Sequence, residues 1–345
     1  MTLPVVAFLG IGLMGRPMAL RLAAAGFAPR VWNRSPAKAA ALAGSGAVPC
    51  ADLGQAVTGA AVVVSMLEAG PAVGATIAAA LPSLAPGALW IDMSSTRHDE
   101  ALAFHARLDG HGMRFLDAPV SGGVAGAEGG TLAIMAGGSL HDFNEALPLF
   151  GALGSARLVV PAGSGQVAKL CNQLIVGATI HIVAEALLLA QAAGADPAAV
   201  REAIRGGFAG SRILDLHGQR MLERNFVAGG QVKSQLKDLH NVLAAAAEAG
   251  LALAADSGGH AQLRVDRGRV GWRRPCGSAA GAGADQSGAE IGGRRRPVGV
   301  AAAGTRCAVR RYEHVESGLH PTYRSSSGGV LTPRGIGICR PARSH

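Results

Sequence analysis

Two spacings of apolar residues alternate along the first half of the chain. Residues 3–9, 29–32, 62–67, 88–93 and 115–117 are short apolar runs, the pattern of strands covered on both faces of a parallel sheet. Between them, over residues 15–25, 72–80 and 97–110, apolar positions recur at the spacing of a helix with one covered face. This alternation predicts a doubly wound parallel α/β sheet, whose ligands lie at the carboxyl ends of the strands.

The pattern changes at Gly163. From Gln166 to Ala193 the helical spacing runs on without a proline, which predicts a helix of about 28 residues, or ~42 Å at 1.5 Å per residue. Such a length exceeds one compact layer, so the helix is expected to be an interdomain strut with its first turns in a cleft. Helical spacing returns over 197–205, 211–224 and 234–249, predicting an all-α second domain.

A chain of 345 residues is long enough for two domains, each with its own core. Charges, glycines and prolines break the apolar runs, so no membrane span is expected, and no basic region leads into an apolar signal segment at the N-terminus. A cytoplasmic protein is the expectation. The net charge of +9 divides unevenly: residues 1–255 hold 17 basic and 17 acidic side chains, whereas 256–345 hold 15 Arg, no Lys and 6 acids. The basic excess belongs to the tail and says nothing about the partners of the folded body, for which a nucleic-acid partner is not expected. Cys50, Cys171, Cys276, Cys307 and Cys339 show neither a disulfide framework nor metal-ligand pairing, so no metal is expected.

Candidate chemistry sits where the strand runs end. The first is followed by Gly10-Ile11-Gly12-Leu13-Met14-Gly15, a G-x-G-x-x-G string opening a helix. One glycine makes the tight turn, one admits a pyrophosphate and one lets helix and strand pack, with the anion at the helix N-terminus. The string alone is weak in a chain with 50 glycines; its place between strand and helix gives it weight. The second run ends at Asn33-Arg34, where an acidic residue would accept a ribose 2′-hydroxyl. Arg34 there would instead neutralise a 2′-phosphate, which favours NADP while leaving NAD open. Later strand ends carry Asp92-Met93-Ser94-Ser95-Thr96 and Asp117-Ala118-Pro119-Val120-Ser121-Gly122-Gly123, the second able to form an anion-binding nest of backbone N–H groups. Lys169 and Asn172, three apart on the long helix, share a face beside Gln173. A lone lysine is more often solvated surface than an acid/base group; the surrounding motifs are what favour the second reading here.

Together these residues resemble the β-hydroxyacid dehydrogenases, a family that includes 3-hydroxyisobutyrate dehydrogenase, tartronate semialdehyde reductase and the glyoxylate/succinic semialdehyde reductases. The match runs through GIGLMGRPMA (10–19), DMSST (92–96), DAPVSGGVAGAEGGTLAIMAGG (117–138), GSGQVAKLCNQ (163–173) and Lys237-Asp238-Leu239, covering residues 1 to about 253. The resemblance implies that Gly10, Gly12, Leu13, Met14 and Gly15 hold a pyrophosphate, Asn33 and Arg34 the adenosine ribose end, and Met66, Leu67 and Thr96 the nicotinamide half. It implies that Ser121, Gly122 and Gly123 bind a small substrate's carboxylate with Asn172, that Lys169 is the general acid/base, and that Lys237 contacts substrate or cofactor. Gln173, where hydroxyisobutyrate dehydrogenases have a second Asn, makes the pair similar to tartronate semialdehyde reductases. A homodimer or tetramer is also implied, and Lys169 argues against an imine reductase.

From about Ala254 the resemblance stops. Phe, Met and Lys vanish, Leu and Ile become rare, and arginines cluster as at Arg294-Arg295-Arg296, a composition expected to be disordered. A natural basic tail and an out-of-frame translation are both readings. The second is favoured: if Ala254-Ala255-Asp256 is written with the codons GCC-GCT-GAC, one choice among the synonymous ones, losing the first base gives CCG-CTG-AC and restores the Pro-Leu-Thr with which, by the resemblance, the family continues. The expected organisation is a Rossmann domain over 1–162, an incomplete all-α domain over 163–255 and a tail over 256–345. An impaired relative that binds NADP without turning over is the alternative function.

Overall fold

The computed structural model describes residues 3–227, 231–251 and 253; the tail expected to be disordered lies outside them. Strands β1 (Val6–Leu9), β2 (Arg30–Trp32), β3 (Val48–Pro49), β4 (Val62–Ser65), β5 (Leu89–Asp92) and β6 (Arg114–Asp117) form one parallel sheet in the order β3-β2-β1-β4-β5-β6. Helices α1 (Gly15–Ala24), α2 (Pro36–Ala40), α3 (Leu53–Val57), α4 (Gly70–Ala80) and α5 (His98–Asp109) connect them. The order reverses beside β1, so the crevice of this Rossmann sheet opens at the ends of β1 and β4.

Successive strand residues face opposite sides, and here both sides are covered. Phe8, Val64, Ile91 and Leu116 enter one core while Leu9, Val63, Trp90 and Phe115 enter the other. Burying one such side chain contributes roughly 1.5–3 kcal/mol, which is why these strands are continuous apolar runs.

A second sheet was not expected. β7 (Val120–Ser121) pairs antiparallel with β8 (Leu132–Ala136), which pairs parallel with β9 (Gly154–Leu158), and helices α6 (Gly123–Gly129) and α7 (Leu140–Leu153) intervene. A bridge between Asp117 and Gly137 ties it to β6. Two-residue β7 is too short to display a period, so the stretch looks like a glycine-rich loop in the sequence.

Helix α8 (Ser164–Ala192, 29 residues) is the expected strut. It packs on β6, β7 and β8 and on α9 (Pro197–Ile204) and α11 (Val232–Glu248), the last reaching it at Gln173 and Gly177. The expectation of no membrane-span-like stretch needs correction, because α8 is long and apolar enough to cross a bilayer; its N-terminal part is instead built into the protein through buried Gln166, Lys169 and Gln173. The helix expected over 211–224 is also interrupted. Leu214–Gly218 forms a π-helical turn before α10 (Gln219–Leu222). Buried Arg201 of α9 donates to the carbonyls of Leu214 (3.0 Å) and Asp215 (2.8 Å), and a side chain claiming those carbonyls accounts for the wider turn.

Candidate active site

The turn after β1 is shaped by contact. A Cβ at Gly10, where φ is +104°, would lie 2.3 Å from the Met66 carbonyl oxygen, and one at Gly15 would lie 1.9 Å from that of Gly10. At Gly12 a Cβ would meet nothing within 4 Å, so the outer side of the turn is open. No side chain caps α1 and no acid lies in its first turn. The N–H groups of Gly12, Leu13 and Met14 are given to no acceptor among the described residues. Free donors at the positive end of a helix are what a pyrophosphate requires.

Asn33 braces this turn from β2. Its Oδ1 accepts the Ile11 N–H at 2.9 Å and its Nδ2 donates to the Ser35 carbonyl at 3.1 Å, so both polar atoms are engaged within the protein. Arg34 beside it is exposed. Across the mouth, Glu68 pairs with Lys233 of α11 at 2.8 Å; that bond chiefly, with smaller help from Arg34 and Lys237, holds the Glu68 carboxyl below its ordinary value.

Lys169 lies one to two turns into α8 and is 8% exposed. Its Nζ donates to the Val120 carbonyl at 2.9 Å and to Gln173 Oε1 at 3.0 Å. Val120 precedes Ser121, so the amine meets the expected carboxylate loop at its base. Gly122 and Gly123 both have positive φ, +138° and +63°, and are exposed, leaving the loop's backbone accessible. Burial lowers the Lys169 pKa; Asp238 opposes this and Lys237 adds to it.

Gln173 is the hub of the site. Its Oε1 also accepts from Asn172 Nδ2 at 2.8 Å, and its Nε2 donates to Asp238 Oδ2 at 2.6 Å and Gln235 Oε1 at 3.0 Å. Asp238, 5% exposed, accepts from Ser95 Oγ at 2.7 Å through its other oxygen and pairs with Lys237 at 3.2 Å. Lys237 also donates to the Ser95 carbonyl. One network thus joins the ends of β5 and β7 to α8 and α11.

The chain is similar to proteins of one known family. Residues 5–169 match the family described as the NAD binding domain of 6-phosphogluconate dehydrogenase, and residues 163–265 that described as the NAD-binding domain of NADP-dependent 3-hydroxyisobutyrate dehydrogenase. Over 245 residues the chain is 40% identical to 2-hydroxy-3-oxopropionate reductase of Escherichia coli K12, covering 70% of this chain and 84% of that one. The chain belongs to the β-hydroxyacid dehydrogenase family. Among solved structures, Mycobacterium tuberculosis 3-hydroxyisobutyrate dehydrogenase with L-serine superposes with a TM-score of 0.69 at 31% identity, over 74% of this chain and 91% of that one. Psf3 in complex with NADP+ and 2-OPP superposes with a TM-score of 0.66 at 25% identity, over 72% and 88%. The protein is therefore an NAD(P)-binding oxidoreductase of small hydroxy or oxo acids.

In this β-hydroxyacid dehydrogenase fold, hydrogen bonds and an ion pair through Gln173 and Asp238 link Lys169, Asn172 and Lys237, Lys169 reaches Val120 at the base of the Ser121 loop, and Met66 and Leu67 are half-buried beside the glycine turn. Thr96, expected at the nicotinamide half, is 1% exposed; its N–H goes to Gln166 Oε1 at 3.1 Å, which ties it to α8. Gln166, Asp238 and Gln235 were not foreseen as members of the site. Asp238 stood beside Lys237 in a matched motif, and that adjacency was the available signal. The network also backs onto two buried carboxylates. Asp92 accepts from Ser65 Oγ, Ser94 Oγ and the Ser94 N–H, while its other oxygen is buried without a hydrogen-bond partner among the described residues. Burial raises the pKa of both Asp92 and Asp117 to about 6.

Proposed function

We propose that this β-hydroxyacid dehydrogenase interconverts a small β-hydroxy acid and its 3-oxo acid or semialdehyde, prefers NADP, and uses Lys169 as the general acid/base. The observation that carries the reading is the buried Lys169 amine, fixed by Val120 and Gln173 at the base of the Ser121 loop. NAD(P) supplies or accepts the hydride at its nicotinamide ring. The chain's own residues do the rest. Donors from Ser121 to Gly123, with Asn172, orient the substrate carboxylate so that the carbonyl meets Lys169. In reduction the ammonium gives its proton to the oxygen that becomes the hydroxyl; in oxidation the amine takes it back. Burial eases that loss by penalising the charged form. The Asp238 carboxylate opposes that shift, and Gln173 holds the amine's direction. Gly12, Leu13 and Met14 would take the pyrophosphate on their free N–H groups, and exposed Arg34 the 2′-phosphate. The protein is taken to be cytoplasmic, and its substrate a small carboxylate.

A second reading rests on exposed Phe208 and Phe226 in the helical part. In it the chain is an impaired relative that binds NADP without hydride transfer. Titrating NADPH fluorescence beside a turnover assay with small 3-oxo acids separates the two. Binding with turnover supports the first reading, and binding without turnover selects the second.

A further inference from the structure

Asp117 closes β6 fully buried, and no step above uses its carboxylate. One oxygen accepts the Gly163 N–H at 2.7 Å and the other the Gln166 N–H at 2.8 Å. Both donors belong to the opening of α8, where the cap position is Gly163 and offers no side chain. A helix start leaves its first N–H groups without intrahelical partners. A local Ser or Asp would satisfy them, but it would not connect the helix to anything. Here the acceptor sits on a sheet strand, and the helix dipole favours a negative charge in that place.

The fit around the carboxylate leaves no slack. A Cβ at Gly165 would lie 2.4 Å from the carbonyl oxygens of both Asp117 and Met135, and one at Gly137 would lie 2.4 Å from Asp117 Oδ1. The helix start thus approaches the sheet at a distance that leaves no room for a side chain at Gly165 or Gly137, and the two hydrogen bonds keep it from withdrawing. What this fixes is functional. Gln166, one of the two clamped residues, is 0% exposed and spans to the Ser94 carbonyl (2.8 Å) and the Thr96 N–H (3.1 Å). Lys169 follows on the same helix and meets the carbonyl of Val120, which opens β7 three residues after Asp117 in the chain.

The geometry points to Asp117 as the positioning residue of the active site: by clamping Gly163 and Gln166 it sets the register of α8, and so places Lys169 against the Ser121 loop and Gln166 against the Ser94–Thr96 segment together. The inference rests on Lys169 being the acid/base group. Asp117 itself touches no reacting atom. Its effect is to hold the amine in line, where a displacement of about 1 Å costs on the order of a hundredfold in rate.

Residue-resolved amide exchange by NMR on the full wild-type chain tests the clamp without any variant. Gly163 and Gln166 are expected to exchange far more slowly than Gly165, whose N–H has no acceptor among the described residues; equal rates at the three positions would overturn the clamp. Asp117→Asn, which can accept only one of the two bonds, tests the consequence. Exchange at Gly163 to Leu170 is expected to quicken while β1 stays protected. With it kcat should fall by about tenfold or more at a nearly constant KM for NADPH. Wild-type kcat in this variant, or equal losses in kcat and NADPH affinity, would contradict positioning. Lys169→Ala, run in parallel, should lower kcat and leave exchange alone. Retained kcat in that variant would refute the acid/base reading, while the exchange data would still judge the clamp.

Discussion

At Lys169 the competing influences are all in view: burial lowers the amine's pKa, Asp238 opposes, and Lys237 assists. The lysine itself was visible in the sequence because GSGQVAKLCNQ is a compact motif. Its partners were not, because Gln173 meets Gln235 and Asp238 across 62 and 65 residues, and helical spacing says nothing about such contacts. Asp92 shows the same limit. In the sequence it is only a polar residue at a strand end, yet it is a buried carboxylate whose pKa burial raises to about 6 from 3.8. A raised carboxylate stabilises the fold below its unfolded value, and that contribution is lost as pH rises through about 6. Protonating Asp92 between pH 7 and 5 should add about 1 kcal/mol. The melting temperature of the wild type, relative to Asp92→Asn, is therefore expected to rise by about 2–4 °C over that interval; a parallel pH dependence in both proteins would count against the buried charge.

Among the elements, the parallel strands were the most legible, since two-sided burial forces continuous apolar runs at β1, β4 and β5. The small sheet β7-β8-β9 was not, because two residues cannot show a period. The π turn at Leu214 was equally hidden, being imposed by Arg201 from another helix. Packing of α11 on α8 brings Asp238 to Gln173, and the close approach depends on Gly177, where a Cβ would lie 3.0 Å from Gln235 Nε2 and 3.2 Å from Leu239 Cδ2. Gly177→Val should therefore push the helices apart, destabilising by about 1–3 kcal/mol. It should lower kcat with little change in NADPH affinity, because the glycine turn of β1 lies elsewhere. Unchanged kinetics in a folded Gly177→Val protein would show that α11 does not set the position of Gln173.

For the whole molecule, the apolar stripe of α8 is the open question that solution work can answer. Ile175, Ile182 and Leu189 are 65%, 61% and 70% exposed and recur every seven residues, so they lie along one side of the helix. A homodimer or tetramer burying that side is expected by sedimentation, and Ile182→Glu should shift it to monomer; a wild-type monomer at micromolar concentration would contradict it. The break in composition after residue 255 lies outside the described residues, and resequencing codons 250–260 decides between a shifted frame and a natural tail. Family membership was legible because its motifs are local strings, whereas assembly depends on which surfaces meet.

The most direct measurement compares steady-state reduction of a small 3-oxo acid by wild type and Lys169→Ala, with NADPH binding titrated in the same samples. A loss of about a hundredfold or more in kcat with NADPH affinity preserved is the expected result, within the range for removing a positioned acid/base group. A loss much smaller than that, with cofactor still bound, would contradict proton transfer by Lys169.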